Sequence, residues 1–399
     1  MKRPMAWQKQ ILLFLLSQCI TLFGSTLVQM AVIWYVTIKT ASGTWVAAFS
    51  VCAYLPQFLI SFWGGVWADR YDRKTLIIGA DAAIALITLA MVWLLPYLSS
   101  EPELMGGLLI MSLLRSVGAG IQTPAVNAVI PQLVPAAQLM RYNGLNAAMQ
   151  SLVGFAAPAA AGLVFAVASL RSALLVDVLT AIFGIGIFLF VPLSARPAPN
   201  EHCSVLTDLR QGLAYAFSEK SISRLLAVYG LFVFLSVPAG FLAGLLVRRV
   251  YGDTYWYLTA VEVIGFAGMA AGGLLMSVWG GFSQRSRTLT LSLVIYGSLA
   301  ALLALTPAFP LYLIAMLGYG IALTMVQTTL TTLLQETTAP ALQGRIFGLM
   351  SAMYAGFLPL GMAIFGPLAD HLPLSALMLA SGLALVSIAA LFDRSLGSR

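Results

Sequence analysis

Again and again along the chain, twenty or more residues pass with hardly a charge among them. A bilayer core about 30 Å thick takes about twenty mostly apolar residues per helical crossing. Runs of that kind lie near 11–38, 44–68, 75–98, 104–130, 137–168 and 172–192, then near 222–249, 254–282, 287–306, 309–335, 342–370 and 374–393. Sixty per cent of the residues are hydrophobic and 9% are charged, against about a quarter charged in soluble domains. Too little polar surface remains for water to cover. Glycine and proline recur inside the runs, where neighbouring membrane helices satisfy the freed backbone groups. The pattern predicts an all-α membrane protein of twelve transmembrane helices.

The short loops carry a sign. With the N-terminus inside, the cytoplasmic segments hold Lys2, Arg3, Lys9, Arg70, Arg73, Lys74, Arg141, Arg196, Arg210, Lys220, Arg224, Arg285, Arg287, Arg345, Arg394 and Arg399. The external segments hold Lys39, Arg171, Arg248 and Arg249, and Arg115 lies within a span. That bias places both termini in the cytoplasm and requires an even number of crossings. The first run, Ile11 to Ile38, is too long for a signal-peptide core and has no small-residue cleavage site after it, so it reads as a retained span. The long polar break is 193–221, with Pro197, Pro199, Glu201, His202, Asp208, Arg210, Glu219 and Lys220, and an amphipathic stretch from Val205 to Phe217. It reads as a cytoplasmic linker between a first bundle, 1–192, and a second, 222–399.

The two bundles resemble each other. Gln122 to Leu145 reads QTPAVNAVIPQLVPAAQLMRYNGL, and Gln327 to Leu349 reads QTTLTTLLQETTAPALQGRIFGL. Gln122 aligns with Gln327, Arg141 with Arg345 and Gly144 with Gly348, while Gly154-Phe155 and Pro158 echo Gly356-Phe357 and Pro359. Internal repeats of this sort are common in secondary transporters, with the substrate site near the bilayer midplane at the repeat interface.

Other classes fit poorly. The net charge of +7 is scattered through loops, without the clustered basic helix or interleaved aromatics of a nucleic-acid interface. Cys19, Cys52 and Cys203 form no metal-like spacing. The chain contains no HExxH, GxSxG or phosphate-binding loop, which argues against an enzyme and against an ATP-driven pump. No cofactor is expected.

Chemistry concentrates in two places. The first is Gly64-Gly65-Val66-Trp67-Ala68-Asp69-Arg70-Tyr71-Asp72-Arg73-Lys74, at the cytoplasmic end of the second span. Its glycines permit close helix packing. Asp69 stands at a helix C-terminus, where an anion needs a partner such as Arg70, Arg73, Lys74 or another helix N-terminus. A contact of that kind can hold one conformation closed and break in another. The second place is the membrane interior, where each charge costs about 2.5–3.5 kcal/mol at a helix centre and so needs a partner, water or a job. Arg115 lies about 16 Å along the fourth span, near the midplane. Asp177, Glu262 and Asp81 lie about 9–11 Å in from the ends of the sixth, eighth and third spans. Buried carboxyls of this type suit reversible protonation. Glu336 lies near the cytoplasmic interface, as a gate or capping residue. Candidate cavity liners are Gln29, Met30, Trp34, Gln122, Asn127, Asn146, Gln150, Tyr229, Phe234, Tyr319, Gln327, Met353 and Tyr354; methionine and aromatic walls adapt to varied ligands.

GGVWADRYDRK resembles the loop-two signature of the major facilitator superfamily, with Asp72 where that family usually has glycine. Arg115 in LLRSVGAG resembles its fourth-span arginine motif. Gly154, Pro158 and Gly162 resemble its fifth-span antiporter motif, with Ala157-Pro158 in place of the usual Gly-Pro. Segments 24–35, 77–85 and 115–135 are similar to the macrolide-efflux branch of drug:proton antiporters. The resemblance implies two six-helix bundles, gating by Gly65, Asp69, Arg70, Arg73, Lys74 and Arg345, and proton-coupled export of small amphiphilic molecules by a monomer in the bacterial inner membrane. A siderophore or lipid-like metabolite is the alternative cargo. It also implies that Glu262, on a cavity-facing span, is the first choice of proton carrier. Asp177 and Asp81, on peripheral spans, are expected in structural ion pairs, and Arg115 serves either proton relay or a fixed salt bridge.

Overall fold

The computed structural model describes residues 7–135, 138–193, 218–338 and 342–397. Most of the expected linker, including Val205–Phe217, lies outside them. Among the described residues there is no strand, and twelve helical segments are long and apolar enough to cross a membrane. They are α1 (Trp7–Thr40), α2 (Gly43–Arg70), α3 (Arg73–Leu94), α4 (Glu101–Leu133), α5 (Leu139–Val167) and α6 (Leu170–Leu189). The seventh crossing is built from α7a (Lys220–Leu235) and α7b (Ala243–Val250), followed by α8 (Tyr255–Trp279), α9 (Arg285–Leu303), α10 (Phe309–Thr337), α11 (Gln343–His371) and α12 (Leu374–Gly397). The protein is a multi-pass membrane protein. Large apolar side chains such as Val278, Val167, Trp93 and Leu163 are exposed along the helices, which suits acyl chains and not water.

Local signals set the helix ends. Asp72 caps α3 by accepting from the backbone N–H of Thr75 at 3.0 Å. Ser100 and Glu103 close a reciprocal capping box on α4. Gly280 ends α8 with φ 68°, a left-handed conformation glycine adopts without strain. Between α7a and α7b, Val237–Phe241 forms a π-helical turn around Pro238, with Leu242 N–H donating to Val237 O.

Contacts divide the chain into two compact units, Met1–Val36 with Phe49–His202, and Thr37–Ala48 with Cys203–Arg399. In the first, α3 packs on α4 and α6; in the second, α8 packs on α10 and α9 on α12. Both units use one device at matching positions, the second and fourth helix of each set of six meeting through glycine. A Cβ on Gly64 would stand 2.4 Å from Gly120 O, and one on Gly120 would stand 2.7 Å from Gln57 O. A Cβ on Gly268 would stand 2.2 Å from Leu317 O, and one on Gly320 would stand 2.4 Å from Gly265 O. Without a side chain the backbones approach closely enough for dispersion and weak polar contacts to hold them in lipid. Thr324 adds a hydroxyl bond to Met269 O at 3.0 Å.

Residues 37–48 belong to the second unit because their backbone is bonded there. Asp370 of α11 accepts from the N–H groups of Gly43 at 2.6 Å and Thr44 at 2.9 Å and from the Ser42 hydroxyl at 2.8 Å. Arg249 pairs with Asp370 at 2.9 Å and donates to Ala41 O, fixing a turn in which Ala41 holds φ 47°.

The glycine seam is testable. Gly268→Val is expected to lower the thermal midpoint of the purified protein by several degrees, because overpacking costs about 1–3 kcal/mol. Gly273→Val, whose Cβ meets nothing within 4 Å, should leave it unchanged. Equal effects from the two would refute the seam.

Candidate functional site

The first unit buries a charge pair. Arg115 on α4 donates to Asp177 on α6 and to the Thr88 hydroxyl on α3. Thr88 donates to Asp177 Oδ2 at 3.0 Å, and Ser25 of α1 donates to Oδ1 at 3.3 Å. Arg115 is 9% exposed and Asp177 2%. The guanidinium therefore has its counter-charge, and the carboxylate has donors on both oxygens. Such a closed set satisfies the demands of burial and ties four helices together. Of the two roles expected for Arg115, the geometry is that of a fixed salt bridge.

Asp81 differs from the structural ion pair expected of it. It is 6% exposed, and among the described residues no basic side chain pairs with it. Gln122 Nε2 donates to its Oδ1 at 3.3 Å and to Gln18 Oε1 at 3.1 Å. One turn of α4 separates Gln122 from Gly118, where glycine lets Ile84 of α3 pack against the backbone, so α3 and α4 lie close enough for an amide to reach the acid. Gln18 and Gln122 also line an open cavity of about 520 Å³, together with Thr123, Asn127, Asn146, Met149 and Gln150. A second cavity of about 550 Å³ is lined by Ser25, Gln29, Gln57 and Met111, with Arg115 at its wall.

Glu262 on α8 belongs to the second unit, and among the described residues its carboxyl has no hydrogen bond or ion pair. The glycine seam sets its neighbour. Gly265 faces Met316, Gly268 faces Leu317 and Gly320, and Gly272 faces Ile321, so one turn earlier Glu262 is level with Tyr312 of α10. The Tyr312 hydroxyl is fully buried and has no hydrogen-bond partner among the described residues. Two turns along α10, Tyr319 stacks on Tyr296 of α9 with centroids 4.4 Å apart, and their hydroxyls are bonded. Gly240 of the π-helical turn backs onto the Tyr319 hydroxyl, where a Cβ would stand 3.3 Å away. π-Helical turns are frequent at functional sites.

The loop after α2 is built otherwise than its charges suggest. Arg73 donates to Ala68 O at 2.8 Å and to Ala128 O at 2.7 Å. Lys74 donates to Leu189 O and Val191 O, both at 2.8 Å, closing the end of α6. At Ala68 O, Leu189 O and Val191 O these cations answer carbonyls at the ends of α2 and α6, where the macrodipole favours them. Asp72, a departure from the family pattern, is the N-cap of α3. The close-packing glycine is Gly64; Gly65 faces open space. Arg70 is exposed. The side chains of Asp69 and Arg345 lie outside the description. Glu336 pairs with Arg285 at 3.5 Å on an exposed face, so the second unit's loop arginine takes its acid from α10.

The expected liners divide. Gln29, Gln122, Asn127, Asn146 and Gln150 line the two cavities of the first unit. Met30 and Trp34 line neither, and Trp34 is packed in at 3% exposure, as is Tyr319 at 2%. Phe234 packs on Phe365 with centroids 5.1 Å apart, and Met353 fills the space above Gly230. Gln327 and Tyr354 are exposed and Tyr229 half-buried. Pro158 is buried mid-way along an unbroken α5, with Gly154 and Gly162 a turn to either side. Sequence reasoning missed Gln18, Thr88, Ser25 and Tyr312. A lone hydroxyl or amide in an apolar run was the available signal, and it does not name a partner.

Removing one member of the Arg115–Asp177 pair strands the other. Arg115→Met is expected to cut the yield of folded protein sharply, as a broken buried pair costs about 3–5 kcal/mol. Arg115→Met with Asp177→Asn should recover much of it, measured by size-exclusion chromatography in detergent. No recovery would count against a structural pair.

The likeness to known proteins agrees with this architecture. The profile of the Major Facilitator Superfamily matches residues 14–362. Macrolide efflux protein A of Streptococcus pyogenes is 28% identical over 388 residues, 96% of this chain and 95% of that protein. Multidrug efflux pump Tap of Mycobacterium tuberculosis (strain CDC 1551 / Oshkosh) is 23% identical over 372 residues, 88% of this chain and 85% of that one. Among solved structures, a POT family transporter in complex with a thioalcohol conjugated peptide shares the fold with a TM-score of 0.74 at 10% identity, over 98% of this chain and 96% of that chain. Matched along most of its length, with twelve membrane helices in two glycine-seamed units, the chain belongs to the Major Facilitator Superfamily.

Proposed function

We propose that the protein exports small amphiphilic, drug-like molecules of the macrolide or multidrug kind across the bacterial inner membrane, in exchange for protons and by alternating access. One observation carries the reading. Of Asp81, Asp177 and Glu262, Asp177 is neutralised by Arg115, while the buried Asp81 and the half-buried Glu262 have no cation among the described residues. A carboxyl in low dielectric without a counter-charge is stable when protonated and unstable when not, which is the property a proton carrier needs. Glu262 is the first carrier and Asp81 the second. Each gains a proton from the outside and loses it as cargo binds from the cytoplasm. The cargo class comes from the relatives, two of which are efflux proteins for macrolides or multiple drugs. The protein acts as a monomer with both termini in the cytoplasm, and the proton gradient is its energy source.

Proteoliposomes provide the test. A proton gradient is expected to drive ethidium or labelled erythromycin transport, and an uncoupler to abolish it. Glu262→Gln should reduce gradient-driven flux to about a tenth or less, a loss of roughly 1.4 kcal/mol of coupling or more. Full flux in that variant would remove Glu262 from the cycle, and flux indifferent to the uncoupler would remove protons from it. A cysteine at position 99 is expected to react with an impermeant maleimide outside intact cells, and one at position 283 only after permeabilisation. The reverse pattern would invert the orientation.

A further inference from the structure

The cavity beside Asp81 has an unusual wall. Its polar lining is Gln18, Gln122, Thr123, Asn127, Asn146 and Gln150, with no acidic or basic side chain among the described liners. Each of the five carboxamides presents a planar donor and an acceptor side by side. That array suits neutral hydroxyl groups, each of which donates one hydrogen bond and accepts others. The remaining liners, among them Leu15, Leu22, Val126 and Met149, give apolar surface for a carbon ring. An anion brought here would leave water without gaining an opposite charge from any described liner.

One of the five is wired to the buried acid. Both protons on Gln122 Nε2 are committed, to Gln18 Oε1 at 3.1 Å and to Asp81 Oδ1 at 3.3 Å. We propose that this cavity holds a neutral, hydroxyl-rich portion of the exported molecule, such as a glycosyl substituent, and that Gln122 links its occupancy to the proton on Asp81. The inference rests on the exchange reading above and deepens it.

The chemistry follows from which groups can donate. An ionised Asp81 only accepts, so Gln122 turns its NH2 toward the acid and its carbonyl oxygen remains free to accept from a hydroxyl in the cavity. A protonated Asp81 is itself a donor and competes for that carbonyl oxygen. The amide then turns over, and the cavity loses an acceptor and gains a donor. Binding through a donating hydroxyl therefore favours the ionised acid, and the proton leaves to water as cargo arrives, the sign that exchange requires. The charged groups on helices packed against α3 do not override this. Arg115 and Asp177 are bonded to each other, and Glu101, Glu103, Arg171, Lys9, Lys39 and Tyr97 are exposed toward helix ends.

The test uses the full-length protein in lipid nanodiscs with erythromycin, which carries two sugars, and its sugar-free ring, erythronolide B. Calorimetry in buffers of different ionisation enthalpy counts the protons moved. The wild type is expected to bind erythromycin about tenfold more tightly than the ring or better, the gain from one or two net hydrogen bonds, and to release protons on binding. Asn127→Leu and Asn146→Leu, both at liners of the cavity, should shrink the preference to about threefold or less. Gln122→Leu should still bind but release fewer protons. Equal binding of the two probes, binding of neither, or proton release unchanged by Gln122→Leu overturns the proposal; should Gln122→Leu fail to fold, the two asparagine variants decide it. Ethidium efflux in the same preparation separates the readings. Gradient-driven efflux with equal probe binding sinks this inference alone, whereas absence of gradient-driven efflux sinks the exchange reading.

Discussion

Low dielectric is the constraint on which the rest of the molecule depends. In hydrocarbon a charge must be answered by another charge, by donors, or by a proton. Arg115 and Asp177 answer each other, with Thr88 and Ser25 completing the set. Asp81 has only an amide, and Glu262 has no bonded partner among the described residues. Four helices are joined by the first set, and two carboxyls are left without a cation among the described residues.

The second constraint is the weakness of the hydrophobic effect between helices already in oil. Close approach has to substitute for it, and glycine supplies that approach at Gly64 and Gly120 and again at Gly268 and Gly320. The repeat in sequence thus has a counterpart in packing. It also has a consequence for chemistry, because the seam between α8 and α10 sets the register that puts Glu262 beside Tyr312.

The fold was largely legible. Twelve apolar runs match twelve helices because bilayer thickness imposes a length, and length survives in any linear reading. The site was legible in part. Arg115 had to have an acid, yet which acid depends on how α4 meets α6, and that is a three-dimensional fact. Gly64 and Gly65 differ by one position, but neighbouring residues on a helix point about 100° apart, and only one faces α4. Arg73 and Lys74 also bind carbonyls at helix ends, and carbonyl acceptors belong to every residue and leave no mark in sequence. Asp72 carried a readable signal, an acid three residues before Thr75, the pattern of an N-cap. Gln18 and Tyr312 carried none beyond their polarity.

The ion pair between Arg115 and Asp177 spans 62 residues of chain, and this shapes the protein's birth as well as its resting state. When α4 leaves the ribosome its guanidinium lacks the carboxylate it pairs with in the finished fold, since α6 has yet to be made. Until then the arginine must stay hydrated, in the insertion channel or near the headgroups, where its cost is least. Assembly of the first unit therefore completes late, when α6 arrives carrying the acid, and the two helices enter the bilayer's interior as a neutral couple. A chain truncated before position 177 would strand α4 at that stage, a ready mark for quality control.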